Sequence, residues 1–263
     1  MAGVIVFAHA NSFPAGVYGV LFDAWRDAGY DVLALPRFGH DSRFPVTNNW
    51  PHLRDQLLEF IAAHAGEPAW LVGHSLGGMV SLLAASKRPQ IARGIVLLDS
   101  PVVAGWHAHT WRMAKAARLA SRITPGRVAR TRRYRWPSRD AVHEHFARKA
   151  AFARWDKRVL ADYVASGFEQ RGAEWHLHFE REIEARIYET LPHHIAPLLK
   201  THRLSCPVAY IGGERSVEAR QAGLVATRRL TRERFWIEPG THLFPMEHPD
   251  ATAAAVLRAI ATM

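Results

Sequence analysis

The sequence predicts an α/β domain: a parallel sheet of about six strands with helices on both faces, carrying a mostly helical insertion. Three observations predict it. Short apolar runs alternate with longer helix-like segments, which is the pattern of βαβ units. The runs are continuous in Val, Ile and Leu, as in strands that are covered on both faces. The interval 101–205 lacks this rhythm, and a length of 263 residues suits one domain with such an insertion.

The predicted core occupies residues 1–100 and 206–263. Its strands are the apolar runs Val4–Ala8, Asp31–Leu35, Ala69–Gly73, Gly94–Leu98, Val208–Ile211 and Arg234–Ile237. Its helices are the longer segments Gly16–Ala28, Trp50–Ala63, Leu76–Ser86, Ser216–Arg229 and Pro249–Thr262. Strands and helices alternate along the chain, so we expect the sheet to be parallel throughout.

Residues 101–205 are the predicted cap. A structureless loop of this length is uncommon inside a compact domain, so a helical cap over the sheet is the better interpretation. Trp175–Phe179 alternates apolar and polar residues, which predicts a short extended piece. The helix-like segments of the cap are Trp106–Ser121, Arg139–Arg154 and Trp155–Phe168.

Composition narrows the possible partners and location. The net charge is +10, but no nucleic-acid motif accompanies it, so we expect no nucleic-acid partner. No apolar stretch approaches the ~18 residues of a membrane span, and the N-terminus lacks the basic start of a signal peptide. The single cysteine, Cys206, excludes an intrachain disulfide and fits a reducing compartment. Histidine pairs occur without zinc-motif spacing. We therefore expect a cytoplasmic protein that binds neither membrane nor metal.

One motif carries chemistry. Gly73, Ser75 and Gly77 form G-x-S-x-G between an apolar strand and a helix. A sharp strand-to-helix turn holds the serine in a strained conformation, and only small neighbours fit beside it. Its hydroxyl then projects at the helix N-terminus, where backbone N–H groups and the helix dipole favour an oxyanion. The pattern predicts Ser75 as a nucleophile.

With this motif in this context, the chain resembles the α/β-hydrolase superfamily over essentially its whole length. The resemblance implies a histidine base after the last strand. His242 lies in the segment Gly240–Pro249, which is similar to the family pattern G-H-x-x-x-x-E-x-P. The resemblance therefore assigns the base to His242 and implies that no cofactor is needed.

The third member of the implied triad departs from the family. The acid usually lies in a stretch like G-x-x-D after the strand before the last, but here Ser216 occupies that position. Two carboxylates are alternatives. Asp99 follows the strand after the nucleophile's helix, where some haloalkane dehalogenases carry their acid. Glu214 lies two residues before Ser216. We favour Asp99, with Glu214 or no functional acid as alternatives.

The resemblance also implies an oxyanion hole. The first strand ends in the segment His9–Ser12, where the family has H-G-x-x, and Ala10 stands in place of the glycine. The implied donors are the main-chain N–H groups of Asn11 and Leu76. His9 corresponds to a histidine that braces this loop. Because this strand matches the family's third, the usual leading hairpin is missing, and six strands remain.

The predicted activity is a serine hydrolase that cleaves a small, fairly apolar carboxylic ester through an acyl-enzyme. Its expected partner is a small-molecule acyl substrate, without cofactor or metal. A thioesterase, an amide or C–C bond hydrolase and a cofactor-free perhydrolase are alternatives on the same fold. A ligand-binding receptor with weak or no turnover is the alternative from another class, and only the vacant acid position favours it.

Overall fold

A computed structural model describes residues 2–116 and 125–263. In these residues the main sheet contains β1 (Gly3–Ala8), β2 (Tyr30–Ala34), β3 (Ala69–His74), β4 (Ala92–Leu98), β8 (Val208–Gly213) and β9 (Phe235–Glu238), and a second sheet contains β5 (Arg135–Trp136), β6 (Phe168–Arg171) and β7 (Glu174–Leu177). The main sheet has the order β2-β1-β3-β4-β8-β9, and all its pairs are parallel. The predicted six-stranded parallel sheet without a leading hairpin is confirmed.

The helices of the described residues alternate with these strands. In chain order they are α1 (Gly19–Asp27), α2 (Pro51–His64), α3 (Leu76–Lys87), α4 (Gly105–Ala116), α5 (Gly126–Thr131), α6 (Arg139–Ala147), α7 (Lys157–Ser166), α8 (Arg181–Glu189), α9 (Ile195–Thr201), α10 (Val217–Ala222), α11 (Val225–Thr231), α12 (Phe244–Glu247) and α13 (Pro249–Ala261). Single 3₁₀ turns precede α1 and follow α3. The sequence prediction of one helix over Ser216–Arg229 was wrong, because Gly223 adopts a positive φ of 74° and separates α10 from α11.

The main sheet is covered on both faces, as its apolar strands require. Successive side chains of a strand point to opposite faces. In β1, Ile5 and Phe7 pack in one apolar cluster, and Val4 and Val6 pack in the other. Residues of α1 and α13 complete the first cluster, and residues of α2 and α3 complete the second. This two-sided burial fixes the strand ends that carry the candidate site.

The segment 101–205 lies outside the main sheet. Its helices α6 and α7 pack with β6 around a cluster of aromatic rings, in which Tyr163 contacts Phe146 and Phe168. The predicted extended piece contains β7, which pairs antiparallel with β5 and β6. The sequence did not predict the other two strands. The predicted helix Trp106–Ser121 is described as far as Ala116, and its remainder lies outside the described residues.

Across the described ranges, none of the helices combines the length and the apolar character that a membrane crossing needs.

Candidate active site

Ser75 lies at the turn between β3 and α3. Its backbone has φ 53° and ψ −112°, an unfavourable conformation for a residue with a side chain. Its N–H donates to the carbonyl of Leu98 over 3.0 Å, and its carbonyl accepts from the Ser100 hydroxyl over 2.6 Å. These bonds to the end of β4 hold the turn in place. The structure thus has the strained strand-to-helix turn that the motif predicts.

The glycines of the motif permit a close approach between backbones. A Cβ atom on Gly77 would lie 1.9 Å from the carbonyl oxygen of Ala8, at the end of β1. A Cβ on Gly73 would lie 2.4 Å from the carbonyl carbon of Gly77. Any side chain at these positions would therefore push the first turn of α3 away from β1. The same approach brings the loop after β1 to the N-terminus of α3.

Asn11 lies in the loop after β1, and Leu76 is the first residue of α3, so the close approach of Ala8 and Gly77 brings the main chains of Asn11 and Leu76 near each other. The main-chain N–H of each donates no hydrogen bond within the described part of the chain. The Asn11 side chain, in contrast, uses both of its polar atoms: its Nδ2 donates to the carbonyl of Glu184 over 3.0 Å, and its Oδ1 accepts from the N–H of Ser12 over 3.1 Å. Their assignment as oxyanion donors stays a prediction at this point.

His9 braces the same loop from behind. Its Nδ1–H donates to the Ala10 carbonyl over 2.8 Å, and its Nε2 accepts from the N–H of Phe38 over 2.9 Å. Burial lowers the pKa of His9 to about 4, so the ring stays neutral and can accept this bond at neutral pH. His9 therefore links the loop after β1 to the loop after β2.

The cap contacts the loop after β1 through Glu184 of α8. The Ser12 hydroxyl donates to Glu184 Oε1 over 2.5 Å, and Arg132 Nη2 lies 2.6 Å from Glu184 Oε2 as an ion pair without hydrogen-bond alignment. Burial raises the pKa of Glu184, and the charge of Arg132 and the bond from Ser12 only partly oppose it. One cap residue thus holds both Asn11 and Ser12.

Asp99 and His242 meet at the end of β4. The Nδ1–H of His242 donates to Asp99 Oδ2 over 2.6 Å, and the Asp99 side chain has no exposed surface. Three other donors among the described residues reach the same carboxylate: the Gly213 N–H at 2.9 Å, the Ser216 hydroxyl at 2.5 Å and the Tyr210 hydroxyl at 3.2 Å. The buried carboxylate is therefore satisfied on both oxygens.

These bonds set the charge of the pair. Burial raises the pKa of Asp99, but the bonds and charge of His242, with those from Ser216 and Gly213, hold it below its usual value. Burial lowers the pKa of His242, but the hydrogen bond and charge of Asp99 hold it above its usual value, with a further contribution from Glu218. Asp99 is therefore ionised at neutral pH, and its charge stabilises the imidazolium whenever His242 takes up a proton.

Glu214, the other acid considered, is placed differently. Its side chain is 67% exposed, and its described ion-pair contact is with Arg215 at 4.0 Å. It makes no described hydrogen bond to His242, whose Nδ1 is engaged by Asp99. The geometry therefore brings Asp99, and not Glu214, to the imidazole.

Ser216, at the vacant acid position, has a function that the sequence did not reveal. Its hydroxyl donates to Asp99 and accepts from the Ala219 N–H over 3.0 Å, so it also caps α10. The position at which the resemblance leads one to expect the acid thus holds a donor to the Asp99 carboxylate. Sequence reasoning could have found this role of Ser216 only after assigning Asp99 as the partner of His242.

His74 and Tyr18 were also missed. The Tyr18 hydroxyl accepts from the N–H of Ala10 over 3.2 Å and lies 2.8 Å from His74 Nδ1. His74 Nε2 lies 2.9 Å from the carbonyl oxygen of His242. His74 occupies a variable position of G-x-S-x-G, and Tyr18 belongs to no motif. Through His74, the residue next to Ser75 contacts the main chain of His242.

The described residues contain no group of three or more His, Cys, Asp or Glu side chains that could hold a metal ion.

A comparison with protein-family models identifies the family of this chain. The model of the alpha/beta hydrolase family matches residues 5–255, so nearly the whole chain, core and cap segment together, belongs to this family. Individual relatives resemble the chain either over part of its length or at low sequence identity.

Curated relatives match part of the chain. Rat (Rattus norvegicus) monoglyceride lipase is 34% identical over 130 residues, which are 46% of this chain and 43% of the lipase. The chloroplastic pheophytinase of Arabidopsis thaliana is 36% identical over 62 residues, 24% of this chain and 13% of that enzyme. The matched region thus spans less than half the length of these relatives.

Solved structures match almost the whole chain at low identity. E-2-(acetamidomethylene)succinate hydrolase superimposes with a TM-score of 0.77 and 22% identity, covering 98% of this chain and 91% of that one. A thioesterase domain from the curacin biosynthetic pathway gives a TM-score of 0.75 and 17% identity, covering 97% and 91%. At these identities the likeness establishes the fold.

Proposed function

We propose that the protein is a serine hydrolase that cleaves a small, fairly apolar carboxylic ester, with Ser75, His242 and Asp99 as its triad. One observation carries the proposal: the wholly buried carboxylate of Asp99 accepts a hydrogen bond from Nδ1 of His242, and the main chain of His242 contacts His74, the residue next to Ser75. An imidazole fixed in this tautomer presents its Nε2 as a base, as acyl transfer requires.

The reaction follows from these groups. His242 Nε2 takes the proton of the Ser75 hydroxyl as its oxygen attacks the acyl carbonyl. The resulting imidazolium is stabilised by Asp99, and the oxyanion accepts hydrogen bonds from the N–H groups of Asn11 and Leu76. His242 then gives the proton to the leaving alcohol. Water, deprotonated by the same imidazole, attacks the acyl-enzyme, releases the acid and restores Ser75.

The partly exposed ring of Phe13, next to the oxyanion loop, supports an apolar substrate, and the buried rings of Trp155 and Tyr163 hold it in place. Phe13 follows Ser12 directly, and its ring centroid lies 5.5 Å from that of Trp155 and 5.9 Å from that of Tyr163. Aromatic side chains from the cap therefore pack beside the proposed oxyanion hole. Ester chemistry is further supported by the similarity to monoglyceride lipase.

The receptor alternative depended on the vacant acid position. Because Asp99 hydrogen bonds to His242, that position no longer argues for lost turnover. A cytoplasmic location, a small-molecule acyl substrate and the absence of nucleic-acid and membrane partners stay predictions from the sequence.

Labelling with a fluorophosphonate probe tests the proposal. We expect the wild-type protein to be labelled covalently and the Ser75→Ala variant not at all. The rates at which the wild-type protein hydrolyses chromogenic esters of increasing acyl length then define its acyl preference. An unlabelled wild-type protein that still binds acyl ligands would contradict the proposal and favour the receptor.

A further inference from the structure

A buried chain of hydrogen bonds joins three parts of the candidate site. It runs from the N–H of Ala10 through the Tyr18 hydroxyl and the His74 ring to the carbonyl of His242. Resting on the proposed function, we propose that Tyr18 and His74 are positioning residues, which set the place of the His242 main chain and of the loop that carries Asn11. Within the described residues, neither side chain forms a hydrogen bond to the Ser75 hydroxyl or to the imidazole of His242.

The direction of each bond in the chain is fixed from its last acceptor. The carbonyl of His242 can only accept, so His74 Nε2 must donate to it; His74 Nδ1 of the neutral ring then accepts from the Tyr18 hydroxyl, whose oxygen accepts from the Ala10 N–H. With Nδ1 as acceptor, the single proton of the neutral ring lies on Nε2. That proton is the one donated to the carbonyl of His242, which can only accept. Every donor is thus matched to an acceptor.

Burial keeps the chain in this state. Tyr18 is 1% exposed and His74 is wholly buried. Burial, with the nearby His242, lowers the pKa of His74 to about 3, so the ring stays neutral at working pH. Burial also raises the pKa of Tyr18, so its hydroxyl keeps its proton. Because water has no access, a lost partner leaves a buried polar group unsatisfied.

His242 is consequently held at two points. Asp99 fixes the Nδ1 side of the ring, and His74 fixes the main-chain carbonyl. The other end of the chain is Ala10, which directly precedes Asn11. A single set of bonds therefore ties the proposed base and the proposed oxyanion donor to the residue beside Ser75. Misplacement of such groups by about 1 Å can cost a hundredfold in rate.

The first test removes the middle of the chain. In Tyr18→Phe, the Ala10 N–H and His74 Nδ1 lose their partner, and the tautomer of His74 is no longer fixed. We expect kcat for a chromogenic ester, and the rate of fluorophosphonate labelling, to fall about tenfold or more while KM changes little. The control is Phe22→Leu, since the Phe22 ring stacks on Tyr18 with centroids 6.4 Å apart but takes no part in the bonds. It should lower the melting temperature without lowering kcat.

The second test uses a matched pair at His74. The amide nitrogen of His74→Gln can occupy the place of Nε2 and keep the donor to the His242 carbonyl, whereas that of His74→Asn falls short. Both variants place an amide in the same buried site. We expect the Gln variant to retain at least threefold more kcat than the Asn variant, at similar melting temperatures.

Three results would overturn the inference while leaving the proposed function intact: unchanged labelling in Tyr18→Phe, equal kcat in the two His74 variants, or a loss of kcat in Phe22→Leu as large as that in Tyr18→Phe. A wild-type protein that is not labelled would instead contradict the proposed function itself, so the two failures are distinguishable.

Discussion

Two buried carboxylates lie on opposite sides of the candidate site, and their charges are controlled differently. Asp99 belongs to the core and is wholly buried, and Glu184 belongs to the cap and is 4% exposed. The pKa of Asp99 is lowered, whereas that of Glu184 is raised. Burial acts on both in the same direction, so the difference comes from their partners.

The partners differ in number and alignment. Asp99 accepts four hydrogen bonds within the described residues, one of them from His242. The carboxylate of Glu184 accepts one within these residues, from Ser12, and forms an unaligned ion pair with Arg132. Aligned donors stabilise an ionised carboxylate enough to offset its desolvation, but an ion pair alone does so incompletely. The core carboxylate is thus organised to remain charged, while the cap carboxylate mainly positions a loop.

The largest expected effect tests this contrast directly. Asp99→Asn removes the charge that orients His242 and stabilises its protonated form, so we expect kcat to fall by ~10³–10⁴. Glu214→Gln is the matched control, since its exposed side chain should leave kcat within about twofold. Initial rates on a chromogenic ester measure both, and similar mild losses would show that the acid is elsewhere.

The pH dependence of kcat/KM sharpens the comparison. His242 must be neutral to act as a base, and its pKa is raised, so activity should be lost as pH falls through a midpoint above the ordinary value of ~6.5. Asp99→Asn removes the two larger of the three influences that raise this pKa, and leaves burial, which lowers it, opposed only by the charge of Glu218. The residual activity of the variant should therefore titrate at a lower pH. A midpoint that stays in place would separate Asp99 from the imidazole.

Ser216→Ala removes one of the donors to Asp99. The carboxylate keeps its other partners, so we expect a loss of kcat of about tenfold or less. The substitution also removes the N-terminal capping hydrogen bond of α10, which should lower the free energy of unfolding by ~1 kcal/mol. Urea denaturation measures the second effect independently. A loss as large as that of Asp99→Asn would mean that Ser216 itself takes part in the chemistry.

The smallest effect is expected at the cap. Glu184→Gln keeps an oxygen that can accept from Ser12, so kcat should change by only a fewfold. Because the folded pKa of Glu184 is raised, its contribution to stability is present below the unfolded pKa of ~4.3 and is lost as pH rises through the folded value. The variant should therefore gain stability relative to the wild-type protein as pH rises, in paired urea titrations. A gain on acidification would reverse the assigned direction.

The sequence predicted the fold because its strands are continuous apolar runs and its motif has a required context. It did not predict the cap sheet, since a strand as short as Arg135–Trp136 has no detectable period. The sequence favoured Asp99 over Glu214 but could not exclude Glu214, because the choice depends on which carboxylate reaches the imidazole of His242 in space. Tyr18 gave no signal, because its partners are eight and 56 positions away. The roles of Ser75 and His242 stay predictions until labelling is done.

The adjacency of β4 and β8 has an evolutionary consequence. Parallel neighbours lie ~4.8 Å apart, so side chains that follow the two strands converge on one point in space. Asp99 and Ser216, although separated by 117 positions, are such a pair. A lineage could acquire the second carboxylate before discarding the first, without ever leaving the imidazole unsupported. The position of an acid along the chain is then free to drift among descendants whose active-site geometry is unchanged.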